Sequence, residues 1–368
     1  MRTHVKYICC ECGQPMDIPT LQPQCECGGL WRLDYTAPSF DLSLVDTQTW
    51  SLFRYRKFMP VSGEIWQDMT MGEGMTPIIP FDENLLLKMD YLMPTLSFKD
   101  RGAAVLISHC KAIGVKSVVQ DSSGNAGNSV AAYCARAGIA CEIFVPEGTS
   151  PMKLKLIEAH GAKLTVVSGS RDRCAEVCRQ KVADEGVYYA NHVYNPFFYQ
   201  GTKTYIYEVY EQLGRIPQNI FVPLGNGTLF IGVMLALEEL LAAGAIDSMP
   251  AVFAVQSEYC DPFVKAVSSG SKDVCGCEAK KTLAEGIAIG RPMRGKEILG
   301  YIYKHNIKVI IAPEHMIKKA QHDFAFKGVY VEPTTAATLA AYQNYIRLNG
   351  ELEDCLIPVC GAGAKSDK

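Results

Sequence analysis

The side chains best placed to do chemistry are one lysine and two glycine-rich turns. Lys99 stands in the run Ser97-Phe98-Lys99-Asp100-Arg101-Gly102, and Ser122-Ser123-Gly124-Asn125 follows about twenty residues later. A lysine held in a desolvated cleft loses its charge readily, and only the neutral amine attacks an aldehyde to form an imine. A turn of small residues that opens a helix offers backbone N–H groups and hydroxyls to an anion. Together the two segments describe an amine that carries an aldehyde cofactor beside a cradle for an amino-acid carboxylate. A third segment, Gly225-Asn226-Gly227-Thr228, lies between a β-rich run and a long helical pattern. That is how a phosphate cradle is built, although glycines in any tight strand-to-helix turn look the same. Neither nucleotide fingerprint occurs: no G-x-G-x-x-G opens a βαβ unit, and there is no G-x-x-x-x-G-K-[ST].

These residues need rigid elements behind them. Leu85-Leu86-Leu87-Lys88-Met89 reads as a strand, and a helix is expected from about Lys99. Three times a helical pattern closes at a glycine and a β-rich run follows. Gly114 precedes Ser117-Val118-Val119, Gly138 precedes Cys141-Glu142-Ile143-Phe144-Val145, and Gly161 precedes Leu164-Thr165-Val166-Val167. Glycine suits the left-handed position after a helix, and unalternating Val, Ile and Phe suit strands covered on both faces. Ser150-Pro151 reads as a helix start, with serine as cap and proline at the first helical position. A second set follows in Ile220-Phe221-Val222, Ala251-Val252-Phe253-Ala254-Val255, Val309-Ile310-Ile311 and Leu356-Ile357-Pro358-Val359.

The expected fold is therefore α/β: two doubly wound, mostly parallel sheets facing a central cleft, plus a small N-terminal module. The Ser122, Gly225 and Cys360 turns would all fall at carboxyl ends of strands. Residues 37–85 and 206–368 would form a large domain, and residues 86–205 a small one carrying Lys99 and the Ser122 turn. Residues 1–36 would be a Cys-rich, zinc-ribbon-like appendage.

Composition narrows the classes. A chain of 368 residues exceeds one ordinary core, and 48% apolar with 20% charged residues is the make-up of a soluble globular protein. A net charge of −3 leaves no basic excess to steer it to nucleic acid or an acidic membrane. The apolar stretch 229–246 is broken by Glu238 and Glu239, and reads as a buried helix rather than a membrane span. The start Met1-Arg2-Thr3-His4-Val5-Lys6 runs into polar, Cys-rich sequence without an apolar signal core. With fifteen cysteines and no such signal, a reducing cytoplasm is expected.

Five cysteines crowd the N-terminus. Cys9-x-x-Cys12 and Cys25-x-Cys27 supply the paired thiolates that tetrahedral zinc takes, in a module with too little core to fold unaided. Cys10 could replace Cys9, and a disordered tail is the alternative. Four cysteines leave no open coordination position, so a zinc ion there would be structural. The other ten read as small buried hydrophobes, with Cys360 the possible exception. His109, His160, His305, His315 and His322 read as structural, whereas His192, close to Asn195 at a strand end, lies where a substrate could reach. Tyr188, Tyr189, Tyr194, Phe197, Phe198 and Tyr199 fit either a pocket wall or an interface. Asp100 and Arg101 are expected to brace the helix start, with Arg101 close enough to Lys99 to help keep the amine neutral.

These motifs, with Glu332-Pro333-Thr334-Thr335-Ala336-Ala337 and Gly361-Ala362-Gly363-Ala364-Lys365, resemble the pyridoxal-phosphate enzymes of the tryptophan-synthase-β fold type (fold type II) from Gly74 to Lys365. Within that group the chain is similar to threonine synthases and threonine dehydratase-like proteins, and Gly74-Met75-Thr76-Pro77 matches their Gly-x-Thr-Pro start. The resemblance implies that Lys99, beside Phe98, holds pyridoxal phosphate as a Schiff base and later moves protons. It implies that Asn125 bonds the ring hydroxyl and that Ser122, Ser123, Gly124 and Ala126 grip the substrate carboxylate. Gly225, Asn226, Gly227 and Thr228 would hold the cofactor phosphate. Cys360 falls where this fold type places a serine or threonine opposite the pyridine nitrogen, and a thiol is neutral there as well. Relatives of this kind are usually homodimers.

The implied reaction is a β/γ-elimination or replacement on an amino acid, and two substrates remain open. In a threonine synthase, Lys99 removes the α-proton of O-phosphohomoserine, phosphate leaves Cγ after a proton is lost at Cβ, and water adds at Cβ. In a threonine/serine dehydratase-like or β-replacement enzyme, a non-phosphorylated amino acid loses its β-substituent; Ala284-Glu285-Gly286-Ile287-Ala288 resembles that group. Threonine synthases often carry threonine where this chain has Ala126, and a basic residue after an Asn-Pro pair that here leads into Phe197-Phe198-Tyr199. A desolvated phosphate needs a positive partner, for which Lys88, Lys155, His192, Lys203 and Arg291 are candidates. A reading of another class is a cofactor-free, catalytically silent protein whose zinc ribbon docks a partner.

Overall fold

The computed structural model describes residues 5–61 and 63–365. Residues 1–4, the start of the segment read as lacking a signal core, lie outside the described residues. Among those described, thirteen strands form three sheets. β1 (Lys6–Cys9), β2 (Pro15–Met16) and β3 (Trp31–Asp34) make an antiparallel ribbon in the order β2-β1-β3. β4 (Ile78–Pro80) and β5 (Leu85–Lys88) belong to a large sheet. β6 (Ser117–Gln120), β7 (Ala140–Pro146), β8 (Lys163–Val167) and β9 (Tyr188–Tyr189) form a small one. β10 (Asn219–Pro223), β11 (Ala251–Ser257), β12 (Lys308–Ala312) and β13 (Cys355–Pro358) return to the large sheet.

The large sheet runs β12-β11-β10-β13-β5-β4, parallel except for β4 against β5. The small sheet runs β8-β7-β6-β9 and is wholly parallel. The helix-closing glycines do what the pattern predicts: Gly114, Gly138 and Gly161 all take positive φ, where a Cβ would be strained. The unalternating runs are buried along all of β13 and all but the first residue of β10 and β11. β8 departs from that expectation. It is the edge of its sheet, paired only with β7, and Val166 is 58% exposed. The stretch read as a buried helix is the helix Thr228–Ala242, and no described helix is long and apolar enough to cross a membrane.

A fully buried charge network ties these layers together. Arg101 donates to both oxygens of Asp90 at 2.7 and 2.8 Å and to both oxygens of Glu208 at 2.6 and 2.7 Å. Lys88 adds a second cation to Glu208 at 2.8 Å. Burial alone would raise the Glu208 carboxyl, but Arg101 and Lys88 hold it down at about 2. Asp100 accepts from Thr95 and Ser129, so it does brace the helix Lys99–Ala112.

The aromatic cluster seats the ribbon. Tyr7 stacks with Trp31 at 6.0 Å and meets the edge of Phe197 at 6.3 Å. The buried Arg294 guanidinium donates to the carbonyls of Trp31, Val193 and Tyr194 at 2.7–3.0 Å, stitching ribbon to body. None of the six aromatics lines the cavity between the sheets, and Phe197 is the one whose ring meets the ribbon.

Candidate active site

A cavity of about 610 Å³ opens between the large and small sheets, within the size range of small-molecule sites. The strand ends put the expected residues there. β6 stops at Gln120, and the turn before the helix Asn125–Ala137 brings Ser122, Ser123, Gly124, Asn125 and Ala126 to the wall. β10 stops at Pro223, and the turn before the helix Thr228–Ala242 brings Gly225, Asn226, Gly227 and Thr228. Phe98 and Lys99 enter from the helix Lys99–Ala112, and Cys360 from just beyond β13.

Both turns depend on glycine for close approach. A Cβ on Gly225 would sit 2.9 Å from the Ile287 Cα, and one on Gly127 would lie 1.8 Å from the Ser122 carbonyl oxygen. Gly127 carries no mark of this role in the amino-acid order, because its constraint comes from the turn folding back over the helix.

Lys99 Nζ donates to the Thr228 hydroxyl at 2.8 Å and lies 4.6 and 5.6 Å from the ring centres of Phe98 and Phe198. The amine is reachable from the cavity yet deep in the protein. Burial pulls its pKa down to about 7, against the opposing pull of Cys360 and Glu332, and Arg171 pushes the same way as burial. The expectation for Arg101 is corrected here: its charge is neutralised by Asp90 and Glu208, and Arg171 is the cation that acts on Lys99.

Two further residues enter through their partners. Asn125 donates to Glu332 at 2.9 Å, while Lys365 donates to the Asn125 carbonyl oxygen at 2.9 Å and to Thr95 O at 2.8 Å. Glu332 and Lys365 therefore fix which way the Asn125 amide faces. Gly361 is obligatory beside them, since a Cβ would meet the Glu332 carboxylate at 2.5 Å. Burial keeps the Cys360 thiol neutral by raising its pKa far above the ordinary value, with Glu332 and Asp90 adding to it.

The cations proposed for a substrate phosphate are mostly elsewhere. Lys88 is taken by Glu208, and Lys203 is buried against Phe58 O and Glu239. Lys155 and Arg291 do not line the cavity; Lys153, Arg171 and Lys281 do, and so does His192. Burial, then Lys99 and Arg171, drive the His192 imidazole well below its ordinary pKa, and its Nδ1 has no hydrogen-bond partner among the described residues. His109 is structural as expected, stacked on Phe197 at 3.6 Å.

The four ribbon sulfurs of Cys9, Cys12, Cys25 and Cys27 lie within 4.8 Å of one another, with close pairs at 3.5–3.7 Å. Tetrahedral thiolates about 2.3 Å from zinc stand about 3.8 Å apart, so the set fits that ion. Cys10 points away, to within 4.0 Å of Arg294 Nη1.

A neutral buried amine facing a helix-opening glycine turn, with an oriented amide on the same cavity, fits pyridoxal phosphate: an aldehyde needs the first and a phosphate the second. Residues 69–361 match the family described as pyridoxal-phosphate dependent enzyme. A threonine synthase of Methanocaldococcus jannaschii is 30% identical over 353 residues, which cover 92% of this chain and 87% of that protein. A threonine synthase of Mycobacterium leprae is 32% identical over 295 residues, covering 78% and 79%. Among solved structures, threonine deaminase isoform 2 from Solanum lycopersicum is similar with a TM-score of 0.71 over 94% of this chain and 95% of that one, at 20% identity. Maize serine racemase is similar with a TM-score of 0.69 over 78% and 88%, at 22% identity. At those identities the structural likeness speaks to the fold alone. By the span of its match and by the residues that meet in its cavity, the chain belongs to the family of pyridoxal-phosphate dependent enzymes.

Proposed function

We propose that this protein is a threonine synthase, a pyridoxal-phosphate-dependent lyase that converts O-phosphohomoserine and water to threonine and phosphate. The observation that carries the reading is the placement of Lys99 Nζ 2.8 Å from Thr228, in one cavity with the 122–126 turn. The name shared by relatives at about 30% identity over most of the chain supports the same substrate.

In this reading Lys99 holds the cofactor, the N–H groups of the 225–228 turn and the Thr228 hydroxyl hold its phosphate, and Asn125 faces its ring hydroxyl. Cys360 presents a neutral thiol to the ring nitrogen. Bound there, pyridoxal phosphate supplies an electron sink for charge developing at the substrate α-carbon. The 122–126 turn binds the carboxylate and so aims the Cα–H bond. Lys99 Nζ, whose pKa burial lowers to about 7 so that much of it is neutral near that pH, takes the Cα proton and later returns one. A second proton is lost from Cβ as phosphate leaves Cγ, Cγ takes up a proton to become the methyl group, and water adds its hydroxyl at Cβ while a proton returns to Cα.

Residues 37–85 with 206–368 are read as a large domain, 86–205 as a small one, and 1–36 as a zinc ribbon with a structural ion on Cys9, Cys12, Cys25 and Cys27. A cytoplasmic homodimer completes the reading, on the family resemblance. A second reading, a threonine/serine dehydratase-like lyase, draws on the 284–288 segment, which packs against Gly225 at the cavity wall. Separate incubation with O-phosphohomoserine, L-threonine and L-serine decides between them. Phosphate and threonine from the first substrate support the proposal; keto acid from the others, without phosphate release from the first, overturns it. A colourless protein unchanged by added pyridoxal phosphate would overturn both.

A further inference from the structure

Asn125 is held between two side chains that leave its amide one orientation. The Glu332 carboxylate accepts and does not donate, and it takes an Nδ2–H at 2.9 Å. Lys365 Nζ lies between two carbonyl oxygens, Asn125 Oδ1 at 2.9 Å and Thr95 O at 2.8 Å, and donates to both. These partners settle which end of the amide is oxygen and which is nitrogen. A carboxamide has two N–H donors and one carbonyl oxygen. With the oxygen taken by Lys365 and one N–H by Glu332, the second N–H has no partner among the described residues.

Backbone bonds hold this clamp in place. Glu332 N donates to Gly361 O at 2.9 Å, Ala362 N to Leu96 O at 3.1 Å, and Phe98 N to Cys360 O at 2.9 Å. The segment that ends in Lys365 is thus laced on one side to the residue before Lys99 and on the other to Glu332. Lys365 follows β13 of the large sheet and Asn125 follows β6 of the small one, so the clamp joins segments of both. All three residues line the cavity together with Lys99 and Cys360.

The cofactor's ring oxygen is sensitive to such a donor. Once the aldehyde is joined to an amine, one proton is shared between two forms. In the yellow form the oxygen is anionic and the imine nitrogen is protonated; in the other the oxygen keeps the proton and absorption moves to the near ultraviolet. An N–H aimed at the oxygen favours the anion, whereas a carbonyl oxygen there favours the hydroxyl.

We propose that Lys365 and Glu332 are positioning residues that lock the Asn125 amide with an N–H towards the cavity, so that it holds the cofactor's ring oxygen as the anion. The imine nitrogen then keeps the proton, which makes its carbon the better target for an incoming amino group. The inference rests on the cofactor placement given under Proposed function and not on any one substrate.

The test therefore needs no substrate: absorbance spectra of the holoprotein, and titration of apoprotein with pyridoxal phosphate. In Lys365→Met the amide is free to turn its carbonyl to the cavity. The ratio of yellow to near-ultraviolet absorbance should then fall about tenfold, and pyridoxal phosphate should bind more weakly. Lys365→Arg keeps donors for the carbonyls and should recover most of the ratio. Glu332→Gln keeps an acceptor for Nδ2 and should stay within about threefold of wild type. Far-ultraviolet circular dichroism checks the fold of each variant. If Lys365→Met does not fold, Lys365→Gln takes its place, and because it retains an N–H donor an intermediate ratio is expected. An unchanged ratio in the folded, loaded Met or Gln variant overturns the proposal. So does a loss in Glu332→Gln equal to that in Lys365→Met, which would make the carboxylate's charge the cause. A wild type that releases no phosphate from phosphohomoserine overturns the threonine-synthase reading and leaves these spectra as the test of the clamp. A wild type that takes up no pyridoxal phosphate overturns both.

Discussion

Lys99 Nζ lies 2.8 Å from the Thr228 hydroxyl, although the two residues are 129 positions apart and open two separate helices, Lys99–Ala112 and Thr228–Ala242. The bond brings the amine to the mouth of the glycine turn, so a molecule bearing both an aldehyde and a phosphate meets its two anchors at one place.

Replacing Lys99 with alanine is expected to abolish the yellow absorbance of the lysine–cofactor imine and to lower turnover by about a thousandfold or more. Far-ultraviolet circular dichroism should be unchanged. Borohydride reduction of the wild-type holoprotein followed by peptide mapping should place the cofactor on Lys99, and a tag on another lysine would refute the assignment.

The buried amine also makes the cofactor-free protein pH-sensitive. The pKa of Lys99 is about 7 in the fold against 10.5 when exposed, so between those values the unfolded chain binds the additional proton. Stability from this group therefore rises with pH from about 7 to 10.5. Apoprotein carrying Lys99→Met should be more stable than wild type, most of all near pH 7, with the gap closing towards pH 10. Chemical denaturation of both forms across that range reads it out; a gap that widens with pH contradicts the burial of a neutral amine.

Glu208 faces two buried cations, and its carboxyl is held at about 2 by Arg101 and Lys88. Glu208→Gln leaves Arg101 and Lys88 short of a counter-charge, and should cost roughly 3–5 kcal/mol in denaturant titrations at pH 7. Because its folded pKa lies below the exposed value of 4.5, the stabilisation is present above that pH and disappears as pH falls from 4.5 towards 2. The wild-type and Glu208→Gln curves should converge in that window.

Purified protein is expected to contain about one zinc ion per chain, measured by atomic absorption. Gentle chelation should expose the first 36 residues to proteolysis and leave most of the turnover. The reason is that Arg294 holds the ribbon through Trp31 O, while its contacts to Val193 and Tyr194 lie beside the cavity, not in it. Complete inactivation by chelation would contradict a structural role.

Cys360 is buried and neutral, so exchanging it for serine keeps the charge and strengthens the hydrogen bond available to a ring nitrogen. Cys360→Ser should keep turnover within about threefold of wild type, either way, and any larger loss would mean that the thiol has chemistry of its own.

Much of the fold was legible because its signals are short-range. Gly114, Gly138 and Gly161 mark helix ends by backbone conformation alone, and the buried runs in β10, β11 and β13 need only a neighbour on each face. The 122–126 and 225–228 turns were visible for the same reason: each is set by a few consecutive small residues between a strand and a helix. β8 was misjudged because a strand's place at the edge of a sheet depends on which strand fails to pair with it.

Lys99 was nameable from its residue type and setting, and Asn125, Thr228 and Cys360 from local motifs that resemble those of fold type II pyridoxal-phosphate enzymes. Their partners were decided by packing. Glu332 and Lys365 reach Asn125 from 207 and 240 residues away, Arg101 turns from the site to Asp90 and Glu208, and the charge of Arg171 is the one that acts on Lys99. Charge acts through space and burial, and neither is written in the spacing of residues along the chain; both exist only once the sheets have closed on the cleft.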